Sequence, residues 1–303
     1  MMIVKNRSEI LFLYDVKWGN PNGDPMDENK PRLDQETDTI IVTDVRLKRT
    51  IRDYLKDFHG ENLWVSSEAV HPSERMKELG ITKLEDAIDK CIDVRLFGIV
   101  MPEKSKSALG NSLTGAVQFR YGRSLHKAKW ELIQGTAAFT SKEGKGQRSI
   151  REEYVVPYAL IAFYGVINEK LAEKSKLSEE DIQKLLDGIW NGTKNLITRS
   201  KMEQNPRLLI KINYKEGIKS HHGELDYLVK IQTERDEFSI RDATEYALSM
   251  DEFVKALKAM SSKIESIEYK ADKRMNFTLS GEKKDIREIL KEITSEVKEL
   301  ELE

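Results

Sequence analysis

Residues 8–58 constrain the fold more than any other stretch. The run SEILFLYDVKW at 8–18 is apolar and aromatic and reads as a central strand. It passes into a loop, 19–37, punctuated by Gly19, Pro21, Gly23 and Pro25. Asn20, Asn22 and Asp24 sit between them, residues whose side chains make turns by bonding to nearby backbone. A helix then begins near Thr43 or Asp44, either of which can cap it. Leu47, Ile51, Leu55 and Phe58 recur at helical spacing, which predicts a buried face. Lys48, Arg52 and Lys56 line an adjacent face, with Arg46 and Arg49 beside them.

Further along, helices are predicted at 82–91 and 178–196, the second capped by Ser178 with Glu180 and Asp181 in its first turn. Strands are predicted at 112–125, 153–167 and 206–214. The stretch QGTAAFTSKEGKGQRS at 134–149 is small, polar and basic, as in a projecting hairpin or mobile loop. Residues 8–214 thus read β-α-β-β-α-β with long insertions, the ferredoxin-like order also found in RNA-recognition domains. The fold class expected is α+β. The last third carries short strands (225–232, 265–270, 275–280) and helices (250–260, 283–299). The helix at 283–299 is expected to pack on the core through Ile286, Ile289, Leu290, Ile293 and Val297.

Composition narrows the partners. Charged residues make up 34% of the 303, yet the net charge is only −2. The charges are segregated. Segments 42–56, 95–130 and 194–219 are basic, while 223–252 and 282–303 are acidic, which fits one polyanion-binding face among solvated ones. A single cysteine, Cys91, permits no disulfide framework, so a cytoplasmic location is expected. No apolar run is long enough to span a bilayer, and no membrane partner is expected.

Catalytic motifs are scarce. None of His59, His71, His126, His221 and His222 stands at metal-ligand spacing, and there is no nucleophile elbow or phosphate loop. No cofactor is expected. The loop carboxylates Asp24, Asp27, Glu28 and Asp34 fit no ion-binding loop, and Lys30 and Arg32 interrupt them.

A nucleic-acid reading joins more of the residues. Exposed amides in the 19–37 loop let backbone N–H groups approach phosphate, and the following helix supplies cations. Arg199, Lys201 and Arg207 lie at the other helix-to-strand junction, and the two helices are expected on one sheet face. Cations so placed grip a sugar-phosphate strand without reading its sequence. Phe119 and Tyr121 alternate on a strand but read equally as core, so base-specific reading on the sheet is not expected.

The segments LYDVKWGNPNGDPMDENKPRLD, VTDVRLKRTIRDYL, DVRLFGIVM, LTGAVQFRYGRSL and REEYVVPYALIAFYGVIN, in this order, resemble the backbone subunit of type I CRISPR surveillance complexes (Cascade), most closely the type I-B form. The resemblance covers about 8–214. It implies an RNA-recognition-like palm over 1–220, with inserted fingers at about 56–110 and a β-hairpin thumb at about 126–152, and a C-terminal α+β part, 221–303, packed on the palm.

The resemblance also implies a non-catalytic protein whose copies stack in a helical filament along CRISPR RNA and present the guide to target DNA. Other implied partners are the large subunit, the subunit capping the guide 5′ end, and the RNA-processing endonuclease. Asn20, Asn22 and Gly23 would lie near the guide backbone, and Arg46, Lys48, Arg49 and Arg52 against phosphates. Lys142, Lys145, Gln147 and Arg148 of the thumb would touch RNA or the adjacent copy, and Arg199 and Lys201 form a basic loop. The alternative within the same superfamily is an RNA endonuclease, using a loop aspartate such as Asp24 or Asp27.

Overall fold

The computed structural model of the protein describes residues 2–66, 71–102, 110–136 and 150–302. Strand β1 (Ser8–Gly19) runs through its largest sheet and is buried from Ser8 to Val16. On one side it pairs antiparallel with the long strand β2 (Ile150–Ile167), and on the other with β3 (Gln204–Tyr214). Phe12 stands opposite both Phe163 and Leu209.

The second half of β2 pairs with 117–119 and 122–124. Its first half pairs with Glu131–Thr136. The four strands expected from sequence therefore lie in the order fourth, first, third, second, with every neighbour antiparallel. Beyond β3 the sheet continues with Ile264–Ala271 and then Val297–Glu299.

Side-chain alternation on β1 divides the core, because successive residues of a strand point to opposite faces. Ile10, Phe12, Tyr14 and Val16 pack with Leu47, Ile51 and Leu55 of helix α1 (Asp44–His59) and with Ile182, Leu185 and Leu186 of helix α2 (Glu179–Lys194). Both helices thus share one face, as the sequence predicts. Two glycines let them approach closely. A Cβ on Gly188 would stand 3.1 Å from Ile51 Cγ2, and one on Gly192 3.0 Å from Tyr54 Cβ.

Leu11 and Leu13 turn the other way. They meet Phe253, Leu257, Ile289 and Leu290 of the last third. Each such fully buried side chain contributes about 1.5–3 kcal/mol. A smaller third cluster gathers Trp64, Ile81, Leu84, Ile88, Cys91 and Val94.

Glu9 joins the layers. Its buried carboxylate accepts from Tyr164 Oη at 2.6 Å, from Tyr214 Oη, and from the amides of His222 (3.0 Å) and Gly223 (2.6 Å). That holds the segment leading into the last third against β1.

Several expectations need correction. The helix predicted over 283–299 ends at Lys291, and Val297–Glu299 is a strand parallel to Ile264–Ala271. Its five apolar residues are all buried nonetheless. The predicted strand 112–125 is three short pieces, of which Ser112–Thr114 pairs with Gly98–Val100 outside the large sheet. Phe58 is 62% exposed and stacks on Tyr54 instead of entering the core. Helices Pro72–Leu79, Ile92–Phe97 and Glu169–Ser175 were not expected. Among the described residues no helix is long and apolar enough to cross a membrane.

Candidate nucleic-acid interface

The loop after β1 is knotted to the segment before β3, and Asn20 is the knot. Its amide donates to Ser200 O at 2.8 Å and its Nδ2 to Asn29 O at 2.7 Å. Its own carbonyl accepts from Lys201 Nζ, which also donates to Pro21 O at 3.2 Å. Asn20 is 2% exposed, and its Oδ1 has no hydrogen-bond partner among the described residues. Asn20 thus holds the loop; its side chain is not displayed.

Asn22 and Gly23 fix the loop's far side. Asn22 Oδ1 accepts from both the amide and the hydroxyl of Thr43 at 2.9 Å. Thr43 caps α1 by accepting from Arg46 N, so Asn22 orients the start of the cationic helix. Gly23 pairs with Pro31 in a two-residue ladder, where a Cβ would come 2.6 Å from Asn29 O.

The four helix cations diverge. Arg46 is half-buried, bonds to Thr50 Oγ1 at 3.1 Å and makes no ion pair among the described residues. Burial lowers its pKa from the ordinary guanidinium value. Lys48 pairs with Asp44 at 2.9 Å and sits over the Phe97 ring. Arg49 is exposed and pairs with Asp53 at 2.7 Å.

Arg52 is 9% exposed and bonds at 2.8 Å to Asp93, itself fully buried, while stacking on Phe97. The structure turns Arg52 inward, because the ion pair satisfies a carboxylate that has no water around it. Arg207 is likewise internal, bonded to Asp15 at 2.8 Å and Asp272 at 2.7 Å.

Lys201 lies close enough to Arg46 to feel its charge. Burial and that neighbouring cation bring the Lys201 pKa down to about 8. Arg199 is 65% exposed and pairs with Glu153 at 3.1 Å. It borders a cavity of about 410 Å³ whose rim also carries Glu28, Glu152, Tyr154 and Ser200. Tyr154 Oη donates to Glu28 at 2.9 Å. The structure therefore brings together Asn20, Asn22, Arg46 and Lys201, with Arg199 and Arg49 outside them. Lys142, Lys145, Gln147 and Arg148 lie outside the described residues.

Sequence reasoning missed Asn29, Thr43 and Ser200 as partners of the loop. The signal available was the polar stretch 198–203 beside an Asn-rich turn, with nothing to say that they touch. The loop carboxylates are engaged by neighbours. Asp24 pairs with Arg32, Asp27 and Glu28 with Lys30, and Asp34 accepts from Thr37. Among the described residues no group of three or more His, Cys, Asp or Glu is placed to hold a metal ion. Burial pushes the Cys91 thiol up to about 12, which leaves it protonated and unreactive.

A mixed α+β domain with a knotted loop beside a capped cationic helix defines a class of protein that comparison then specifies. Residues 6–251 match the family model described as CRISPR-associated protein Cas7. A CRISPR-associated protein Cas7 from Haloferax volcanii is 30% identical over 313 aligned residues, covering 93% of this chain and 91% of the relative. The chain belongs to the Cas7 family.

Two solved chains share its fold. One, from a structure described as a CRISPR RNA-guided surveillance complex, pre-nicking, aligns with a TM-score of 0.56 at 12% identity over 90% of this chain and 96% of that one. The other, from a CRISPR RNA-guided surveillance complex, aligns with a TM-score of 0.56 at 13% identity over 98% and 95%.

Proposed function

We propose that this chain is the non-catalytic backbone subunit of a type I surveillance complex of the I-B form. Copies polymerise along CRISPR RNA, hold it by its backbone and present the guide for pairing with target DNA. The observation that carries this reading is the junction of Lys201 and Arg46 with the Asn20–Asn22 turn. Arg46 makes no ion pair among the described residues, and Lys201 bonds to the carbonyls of Asn20 and Pro21. Such cations are free to take phosphate as a counter-ion. Family membership and the likeness to chains of RNA-guided complexes support the same assignment.

The strand order fourth–first–third–second, with two helices on one face, supports reading 1–220 as a ferredoxin-like palm. The separate apolar cluster from Trp64 to Met101 supports fingers at about 56–110. The ladder between 131–136 and 150–155 supports a thumb at about 126–152, and 221–303 completes the core on the far face. In this reading the RNA-binding set is Asn22, Gly23, Arg46, Lys48, Arg49, Arg199 and Lys201, with the thumb residues Lys145, Gln147 and Arg148, while the buried Asn20 holds the turn in place. Arg52 supports the helix from inside. The large subunit, the guide-capping subunit, the processing endonuclease and further copies of this chain are the protein partners.

The test is purification of the native assembly and sequencing of its nucleic acid. Repeat-flanked guide RNA of uniform length is the expected content. The endonuclease alternative is separated by incubating the protein with labelled RNA, with and without magnesium. Saturable cleavage that Asp24→Ala or Asp27→Ala abolishes overturns the scaffold reading.

A further inference from the structure

Trp18 is the penultimate residue of β1 and is 51% exposed. The other tryptophans are placed differently. Trp64 and Trp190 are 8% exposed, and Trp130 packs edge-on against Tyr154. Among the described residues the Trp18 ring has no aromatic partner and no cation over its face.

The backbone beneath it is also unusual. Trp18 has φ +49°, a left-handed conformation that is an outlier for a bulky residue. The strain is imposed from both sides. Lys17 N donates to Glu203 O at 3.1 Å, and Asn20 N to Ser200 O at 2.8 Å, so the chain is pinned on either flank of the tryptophan. Gly19 between them runs so close to Ser200 that a Cβ would stand 3.2 Å from its carbonyl. Glu203, on the facing segment, is left-handed as well, with φ +62°. Glycine at position 18 would relieve the conformational cost and remove exposed apolar surface. The chain instead holds its largest aromatic side chain there, two residues before Asn20.

We propose that Trp18 is a stacking platform for one base of the single-stranded RNA held at the Asn20–Lys201 junction. This rests on the RNA-binding reading above and adds to it the residue that engages a base. Every base offers a π-face, so stacking contributes affinity without selecting sequence. A phosphate held by Lys201 and Arg46 brings the attached nucleoside to the same end of the sheet as the indole, because Lys201 bonds directly to the carbonyls of Asn20 and Pro21. Met202, whose carbonyl would lie 3.4 Å from a Cβ on Gly19, is 52% exposed, so the segment facing Trp18 also shows apolar surface to solvent.

The experiment is titration of the full chain with a fluorescein-free oligouridine RNA, following intrinsic tryptophan emission, with affinity measured in parallel at several salt concentrations. Three proteins are compared: wild type, Trp18→Phe and Trp18→Gly. The wild type is expected to lose emission on binding and Trp18→Phe to show little change, since the other three tryptophans are buried or packed. Trp18→Gly is expected to bind roughly tenfold more weakly, with the slope of log affinity against log salt unchanged, because stacking releases no counter-ions. Its melting temperature should equal or exceed that of the wild type, which separates loss of the ring from loss of the fold.

Binding by the wild type with constant emission and equal affinity for Trp18→Gly overturns the proposal and leaves the RNA reading standing. An emission change that follows protein concentration without RNA also overturns it, by assigning the ring to a contact between copies. Absence of any RNA binding by the wild type at low salt removes the RNA reading and this proposal together.

Discussion

Arg52 Nε donates to the carboxylate of Asp93 at 2.8 Å, and the same carboxylate accepts the amides of Trp64 at 2.7 Å and Val65 at 3.0 Å. One buried anion thus ties α1 to the segment that follows it and to the helix Ile92–Phe97. Removing one member of such a pair leaves an uncompensated charge in the interior. Arg52→Glu is expected to cost about 3–5 kcal/mol or to prevent folding, read by denaturant unfolding. Arg49→Glu, at an exposed i,i+4 pair, is expected to stay within about 0.5 kcal/mol while weakening RNA binding. Equal stabilities for the two variants would contradict the buried role of Arg52.

Lys201 gives a pH signature. Its pKa is depressed to about 8. Between that value and the ordinary lysine range the unfolded chain binds more protons at this position than the folded one. This group's contribution to stability therefore rises with pH through that window. RNA affinity moves the opposite way, because the neutral amine offers phosphate no charge. Affinity is expected to fall up to about tenfold between pH 7 and pH 9.5 at constant ionic strength. Lys201→Arg should flatten the profile, and a profile unaltered by that change would remove Lys201 from the site.

Asn22 and Gly23 shape the turn before any ligand arrives. Asn22→Ala strips Thr43 of the acceptor for its amide and hydroxyl and is expected to cost about 1–2 kcal/mol. Gly23→Ala drives a methyl group against Asn29 and is expected to cost about 1–3 kcal/mol. Thermal unfolding measures both, and a Gly23→Ala protein as stable as the wild type would show that the ladder with Pro31 is not needed.

Glu153 competes for Arg199. Replacing it by glutamine removes a carboxylate from the cavity rim and releases the Arg199 guanidinium from its ion pair. Glu153→Gln is expected to bind RNA a few-fold more tightly at low salt, the gain vanishing as salt screens it. Unchanged or weaker binding across the salt series would place Arg199 outside the path of the strand.

Much of this was legible in the residues. Leu47, Ile51 and Leu55 mark their buried face by spacing alone, and Ser178 with Asp181 marks the start of α2. The burial of Ile286, Ile289, Leu290, Ile293 and Val297 was read correctly from helical periodicity, yet the last of them reaches the core from a strand. Periodicity reports which residues are apolar. It does not report which backbone brings them inside when a sheet edge competes with a helix. The inward turn of Arg52 was not legible, because its partner Asp93 lies far away in sequence and a helical arginine beside others looks like solvated charge. The tie from Lys201 to Asn20 and Pro21 was hidden for the same reason, since it joins positions 181 and 180 apart in sequence through backbone carbonyls that no side-chain pattern records.

The large sheet has helices against one face and the last third against the other. It behaves mechanically as the web of a girder between two flanges. Packed on both faces, the plate resists bending, and the tie of Asn20 N to Ser200 O braces its end against splaying.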